Sequence, residues 1–187
     1  MVGSERPARA DARRNRERLL AAASAAFAAG GTVSLEAVAR EAGVGIGTLY
    51  RHFPTREALV EAVYATELDD VASSAAALLA ELPPDAALRA WMRRYAAFVA
   101  TKRGMFDALS ASWSAGSMSV STTRERITGA LVTLLDAGAR DGSLRADVEA
   151  EDVLAMLLGA FHSAVAEGAP ERTDRVLDLV LDAVRPR

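Results

Sequence analysis

The chain has 187 residues, of which 51% are hydrophobic and 25% charged, a composition that suits one or two folded soluble domains and excludes extensive disorder. It lacks cysteine, which excludes disulfides, thiolate zinc sites and cysteine nucleophiles. No apolar stretch reaches ~18 residues and no signal peptide is indicated, so we expect a cytoplasmic protein. The net charge of −3 is unevenly distributed, because residues 1–60 hold nine arginines against six acidic residues. This pattern indicates a DNA-binding N-terminal part followed by an acidic part that does not bind DNA.

Three helices are predicted in the front third of the chain, where apolar residues recur at spacings of three and four. Residues 1–10 are expected to form a disordered basic arm ahead of them. The first helix carries Leu20, Ala23 and Phe27 on one face and ends at Gly30, since glycine tolerates the left-handed backbone beyond a helix. The three helices are expected at about 11–30, 34–42 and 45–52.

Six further helices are predicted behind these, and no alternating run indicates a strand. Thr55 is a favourable N-cap for the first of the six, and the pair Pro83-Pro84 ends it. The six helices are expected at about 55–82, from 85 to before 104, 104–109, 122–140, 149–167 and 171–184. The predicted fold class is therefore all-α, with three helices in front and six behind.

The strongest local signal lies in residues 35–53, which meet the demands of a helix-turn-helix. Ala39 stands where the two helices cross, and a larger side chain would push them apart. Gly43, four residues on, provides the left-handed backbone of the turn. Leu49, six residues further, packs the second helix onto the first. This spacing is fairly specific and predicts a DNA-binding unit.

The segment from about Arg13 to Tyr64 resembles the N-terminal domain of the TetR family of helix-turn-helix transcriptional regulators. The matching stretches are Phe27-Ala-Ala-Gly30, Leu35-Glu-Ala-Val-Ala39, Ala42-Gly-Val44, Gly47-Thr-Leu-Tyr-Arg-His-Phe53 and Thr55-Arg-Glu-Ala-Leu59. The resemblance implies a three-helix DNA-binding domain over 11–54 and a six-helix ligand-binding and dimerisation domain over 55–187. It also implies a sequence-specific transcriptional repressor that binds a palindromic double-stranded DNA operator as a homodimer. An effector would release this repressor from the operator.

Twelve residues are expected at the DNA interface from this resemblance and from their chemistry. Arginines at the start of the first helix can neutralise phosphates, which gives affinity rather than sequence specificity. Small residues at the start of the recognition helix let its backbone approach the major groove. The twelve are Arg13, Arg14, Arg16, Ser34, Gly45, Ile46, Gly47, Thr48, Tyr50, Arg51, His52 and Arg56.

Arg51 is the main candidate for reading a base, because its planar guanidinium matches O6 and N7 of guanine. Ile46 can pack on a thymine methyl group, and Thr48 can donate to a phosphate or a base edge. Each assignment has a simpler alternative. Arg51 could be solvated or bound to a phosphate, the front arginines could be a solvated helix start, and Tyr50 could be half-buried against the first helix.

The resemblance places an effector pocket in the rear domain, and we expect a small apolar or aromatic effector of unknown identity and no cofactor. Aromatic and methionine side chains suit such a cavity, although plain core packing is the simpler interpretation of each. The candidates are Trp91, Tyr95, Phe98, Met105, Phe106, Trp113, Met118, Phe161 and His162.

A homodimer is expected because one helix-turn-helix covers only half of a palindromic site. In similar proteins the last two helices form the interface, and here they are apolar enough for that role or for an ordinary internal core. The candidates are Val153, Leu157, Ala160, Phe161, Ala164, Val176, Leu177, Val180 and Leu181.

An enzyme or a metal-binding bundle is not expected. The two histidines, His52 and His162, lack the acidic residue three positions earlier that metal sites in helical bundles use. No nucleophile elbow or phosphate-binding loop is present in the sequence. The alternative left open is a ligand- or protein-binding module with this fold that does not bind DNA, against which the intact Tyr50 and Arg51 argue.

Overall fold

A computed structural model describes residues 5–30, 33–105, 109–110, 120–164 and 170–186, and the regular structure in these ranges is helical, with no strand. The described helices are α1 (Glu5–Ala29), α2 (Leu35–Glu41), α3 (Ile46–His52), α4 (Arg56–Glu81), α5 (Pro84–Gly104), α6 (Val120–Asp141), α7 (Ala150–Ala164) and α8 (Pro170–Val184). The all-α prediction is confirmed, and these eight helices begin and end close to where the sequence places them, apart from the start of α1.

Two features differ from the predicted helix list. α1 begins at Glu5, so six residues of the expected disordered arm are helical. Pro7 is compatible with this start, because the N–H groups of the first turn have no partner within the helix. The short helix predicted at 104–109 lies partly outside the described residues, although the backbone N–H of Leu109 donates to the carbonyl of Met105 at 3.0 Å.

The chain divides into two compact units. The front unit comprises Met1–Thr66 and Thr101–Met118, and the rear unit comprises Glu67–Ala100 and Ser119–Arg187. α4 and α5 each contribute residues to both units. The functional boundary expected after residue 54 remains a prediction.

The core of the front unit forms where α1 packs on α2 and α3. Leu19, Ala23 and Phe27 are buried, and their spacing of four keeps them on one face of α1. Leu20, which was expected on this face, is only half-buried. Gly30 ends the helix with a φ of +76°, a left-handed conformation that glycine adopts without a Cβ clash.

The core of the rear unit contains a cluster of aromatic rings from α5 and α7. The ring of Tyr95 stacks on Trp91 with 5.4 Å between centroids and meets the edge of Phe161 at 5.6 Å. The indole N–H of Trp91 donates to the carbonyl of Val71 at 3.0 Å, so the buried polar atom is satisfied. The cluster therefore combines apolar burial with a hydrogen bond that fixes the indole.

Ion pairs join α8 to α5 at the surface of the rear unit. Nε of Arg89 donates to Asp178 at 2.6 Å, and Nη2 of Arg89 donates to Asp174 at 3.2 Å. Beyond the end of α8, Arg185 donates to Asp85 in the first turn of α5 at 2.7 Å. These pairs are partly exposed, so each adds little to stability, and they link the two helices only at the surface.

Candidate nucleic-acid interface

The segment from Ser34 to His52 folds as two short helices joined by a tight turn. Oγ of Ser34 accepts from the backbone N–H of Ala37 at 3.1 Å and caps α2. Gly43 has a φ of +65°, and the N–H of Val44 donates to the carbonyl of Ala39 at 3.0 Å, which closes the turn. The helix-turn-helix prediction is confirmed.

α3 has one buried and one exposed side. Leu49 and Phe53, four residues apart, are almost completely buried. Ile46 and Tyr50, also four residues apart, are 39% and 45% exposed, and Arg51 is exposed beside them. A spacing of four keeps each pair on one side of a helix. Tyr50 is thus on the surface rather than half-buried against α1.

Two glycines lie on the exposed side at the start of α3. A Cβ added to Gly45 or to Gly47 would meet, apart from the adjoining backbone, no atom of the described chain within 4 Å. Gly45 has a φ of −71°, which any residue adopts, so neither protein packing nor this backbone conformation requires glycine there. The empty space beside the two residues lets another molecule approach the backbone closely.

The guanidinium of Arg51 folds back along α3 toward the start of the helix. Its Nε donates to the carbonyl of Gly47 at 3.1 Å. Its Nη2 donates to Oγ1 of Thr48, also at 3.1 Å. The charged group therefore lies beside the open glycine surface rather than extending into solvent from the end of the helix.

Arg13, Arg14 and Arg16 of α1 are exposed, and the first two pair with acidic side chains of the same helix. Nε of Arg13 lies 3.6 Å from Glu17, and Arg14 pairs with Asp11. The guanidinium of Arg16 lies 5.0 Å from the centroid of the Phe53 ring, which connects α1 to the end of α3. Exposed ion pairs of this kind are weak, so a phosphate can replace the carboxylate.

The end of α3 leads directly into α4. The ring of His52 is half-buried, with its centroid 6.2 Å from that of Phe53. Oγ1 of Thr55 accepts from the N–H of Ala58 at 3.1 Å, which confirms the predicted cap. Arg56 is half-buried in the first turn of α4. The structure thus gathers the predicted front residues on α1, on α2 and α3, and on the start of α4.

Two family models match the chain. Residues 19–63 match the bacterial regulatory proteins of the tetR family. Residues 83–186, more than half of the chain, match the C-terminal domain of SbtR-like transcriptional regulators. The chain belongs to the TetR family. Members of this family are DNA-binding transcription regulators rather than enzymes, so the resemblance noted from the motifs is confirmed.

Solved structures of TetR-family regulators agree with this membership. The regulator SCO0520 from Streptomyces coelicolor is 46% identical, with 91% of this chain and 98% of that chain covered and a TM-score of 0.82. A TetR regulator from Mycobacterium vanbaalenii is 35% identical, with 96% and 100% covered and a TM-score of 0.76. A comparison with curated protein sequences found no match.

The predicted pocket residues of this TetR-family chain are buried wherever their side chains are described. Within the rear unit, Trp91, Tyr95, Phe98 and Phe161 belong to the aromatic cluster. Met105 is buried in the front unit. Three further candidates lie outside the described part of the chain: Phe106, Trp113 and Met118. The side chain of His162, whose backbone belongs to α7, also lies outside it.

Most of the predicted dimer residues are buried within the chain itself. Five of them on α7 and α8 are no more than 7% exposed: Val153, Leu157, Leu177, Val180 and Leu181. Phe161 packs in the aromatic cluster, Ala160 and Val176 are half-buried, and the side chain of Ala164 is outside the described part. These five side chains and Phe161 are buried in the core of the chain itself, which defines the inward side of α7 and α8.

The sequence reasoning missed the apolar residues on the outward side of α7 and α8. Leu179 is 67% exposed, and Met156 is 39% exposed. Leu179 lies two residues after Leu177, which turns it to the opposite side of α8. The sequence signal for these exposed residues is a second, narrower apolar face on each helix. This face is hard to recognise beside the stronger pattern of the buried apolar residues.

Within the described ranges, no group of three or more His, Asp or Glu side chains is arranged to hold a metal ion. None of the described helices is long and apolar enough to cross a membrane.

Proposed function

We propose that this TetR-family regulator is a repressor that binds a palindromic operator as a homodimer and is released by a small effector. The observation that carries the proposal is the exposed side of α3, where Ile46, Tyr50 and Arg51 surround two glycines with open Cβ positions. A surface that combines an apolar side chain, a hydroxyl and a guanidinium with a bare backbone suits the edges of base pairs in a major groove.

In this proposal the remaining front residues hold the DNA backbone. Arg13 and Arg14 exchange their acidic partners on α1 for phosphates, and Arg16, placed against Phe53, reaches the strand beside α3. Ser34, His52 and Arg56 complete the contacts. Such contacts release counterions, so affinity falls steeply as salt rises.

The homodimer is proposed to form through the outward side of α7 and α8. Met156 and Gly159, three residues apart on α7, and Leu179 on α8 are exposed. A Cβ added to Gly159 would meet nothing within 4 Å, so a partner helix can approach closely there. Half-buried Ala160 and Val176 lie at the edge of this surface. The deeply buried candidates would then support the interface from behind.

The effector is proposed to be a small apolar or aromatic molecule that contacts the aromatic side chains of α5 and α7. Tyr95, which lies between Trp91 and Phe161, is the central member of that cluster. Flat rings provide a large apolar surface for such a ligand. α4 contributes residues to both units and begins next to the DNA-binding helices. It is the proposed route by which the effector changes the spacing of the two DNA heads, with a coupling of about 1–3 kcal/mol.

The test is selection from a randomised duplex library at physiological salt, followed by sequencing, with the wild type, Arg51→Ala and Arg140→Ala. Arg140 is a matched control, since it is exposed on α6 and its Nε donates to the carbonyl four residues earlier, as Arg51 does. We expect the wild type and Arg140→Ala to enrich the same palindrome, and Arg51→Ala to lose or blur it.

The outcomes separate the parts of the proposal. A palindrome supports a dimer on DNA, whereas an enriched single half-site would contradict the homodimer. No enrichment by the wild type at any salt concentration would contradict the regulator and favour a module that binds only ligand or protein. With the operator known, failure of every apolar and aromatic compound in a screen to release it would contradict the proposed effector class.

A further inference from the structure

We propose that Thr48 is a positioning residue for sequence readout: its hydroxyl holds the guanidinium of Arg51 so that the Nη1–Nη2 edge reads a guanine. The inference rests on the proposed operator binding and deepens it, because it assigns to one residue pair both a base preference and the means of enforcing it. The sequence by itself predicts only that Thr48 contacts DNA directly.

The two hydrogen bonds of Arg51 use a single edge of its guanidinium. Nε donates to the carbonyl of Gly47, and Nη2 donates to Oγ1 of Thr48, each at 3.1 Å. The guanidinium is planar, and its five N–H groups point in fixed directions. Two bonds along the Nε–Nη2 edge therefore determine both the position and the rotation of the whole group.

The end edge of the guanidinium adjoins this bonded edge, makes no hydrogen bond to the described part of the chain and is open to a ligand. It consists of Nη1 and the outward N–H of Nη2, which are parallel and spaced to match O6 and N7 of guanine. The side chain of Arg51 is exposed, so this edge can be reached from solvent. The geometry thus favours end-on recognition of guanine over recognition through Nε.

Thr48 is suited to hold Arg51 because its own side chain is restrained. It is half-buried, and a β-branched side chain in a helix has few χ1 rotamers. The spacing of three residues brings its Oγ1 to the side of α3 that Arg51 crosses. An arginine fixed before binding loses less conformational freedom when it meets the base, and this selectively favours the base that fits the fixed geometry.

Gly47 completes the arrangement by contributing only its backbone. Its carbonyl accepts from Arg51, and the space where a Cβ would stand is open. The base pair can therefore approach the fixed guanidinium without meeting a side chain at this position. Replacing Thr48 removes one of the two hydrogen bonds and leaves the carbonyl of Gly47 in place, so the change is specific to the positioning.

The experiment compares full-length wild type, Thr48→Val, Thr48→Ser, Arg51→Ala and the Thr48→Val/Arg51→Ala double variant by selection from the same randomised duplex library. Arg51→Ala is expected to lower the preference for guanine at one position of each half-site by about tenfold. Thr48→Val, which keeps the shape but removes the hydroxyl, is expected to lower the same preference by roughly threefold or more. Thr48→Ser is expected to restore it, and the double variant to equal Arg51→Ala.

A second measurement tests the positioning without DNA. Nitrogen-15 relaxation of the Arg51 Nε–H in the free protein is expected to show a restrained side chain in the wild type and in Thr48→Ser, and a more mobile one in Thr48→Val. Equal mobility in all three would overturn the inference. This outcome is independent of whether the protein finds an operator.

The selection has three outcomes that overturn the inference alone. Thr48→Val could keep the full guanine preference, it could change a different base position because Thr48 reads that base directly, or it could weaken all sequences equally. In each case the wild type still enriches an operator, so the proposed function stands. Failure of the wild type to enrich any sequence overturns the proposed function together with this base assignment.

Discussion

The recognition helix α3 and the last helix α8 both have an inward and an outward side, but different features determine which side is which. In α3 the turn at Gly43 and the buried Leu49 fix the helix against its neighbours, and the outward side carries Tyr50 and Arg51. In α8 apolar residues occur on both sides, with Leu177 buried and Leu179 exposed. A helix with turn and cap signals therefore reveals its outward side from the sequence, whereas one with only an apolar pattern reveals its core.

This difference explains why the two sets of predicted residues are placed so differently. In the front unit most predicted contact residues are exposed side chains near one another on α1 and α3. In the rear unit most predicted interface residues support the core, and exposed apolar residues such as Leu179 lie on the other side of the same helices.

The largest effect is expected from Leu49→Ala, which removes the completely buried side chain that joins α3 to its neighbours. The cavity and the lost apolar burial should lower the free energy of unfolding by about 3 kcal/mol. Chemical denaturation at matched protein concentration measures the change. Ile46→Ala, on the exposed side of the same helix, is the control and should stay within about 0.5 kcal/mol of wild type. Equal effects of the two variants would mean that α3 has no distinct inward side.

The proposed dimer surface is tested next by Leu179→Glu on α8. A charge at this 67% exposed position is compatible with the folded chain but not with an apolar interface, so the dimer Kd should rise about 100-fold. Analytical ultracentrifugation over a concentration series gives the Kd. Val132→Glu is the control, because Val132 is 43% exposed on α6, which is not one of the two helices of the proposed surface. A Leu179→Glu protein that stays as dimeric as the control would place the interface elsewhere.

Gly47→Ala is expected to change stability and DNA binding in opposite directions. Alanine favours the helix over glycine by up to about 1 kcal/mol, and the Cβ does not clash with other described parts of the chain, so the free protein should become more stable. The same Cβ occupies the space proposed for the base pair, so operator affinity should fall. Gly129→Ala on α6 is the matched control: its Cβ position is also open, and only stability should rise. Unfolding curves and operator titrations of both variants provide the comparison, and unchanged operator affinity in Gly47→Ala would contradict close backbone approach.

The smallest effect concerns the surface pairs of the rear unit and depends on pH. The hydrogen bond from Arg185 lowers the pKa of Asp85 below its usual value, so the charged carboxylate is favoured in the folded state. Its contribution to stability is complete above the ordinary aspartate pKa of about 4 and is lost as the pH falls below it. Asp85→Asn should remove this part of the pH dependence and cost less than about 1 kcal/mol at neutral pH, since the pair is partly exposed. Identical slopes of unfolding free energy against pH in both proteins would show that the pair contributes nothing.

Local chemistry allowed the sequence to determine the helices and the turns of this protein. Ser34 and Thr55 cap helices because their side-chain oxygens accept from free N–H groups, and Gly43 forms the turn because only glycine adopts its backbone without strain. These effects act within a few residues, so they can be recognised without knowing the rest of the fold. The same signals placed the recognition helix and its outward side chains.

Two features depended on the tertiary structure. The start of α1 at Glu5 did not follow from the local pattern, because a charged segment with a proline carries no apolar stripe. The orientation of α7 and α8 did not follow either, since Val153 and Leu177 satisfy the pattern of a core as well as that of an interface. An apolar side chain gains stability from burial against any partner that excludes water. The sequence therefore determined which side chains of α7 and α8 avoid water, and only the packing of the helices decided which surface buries them.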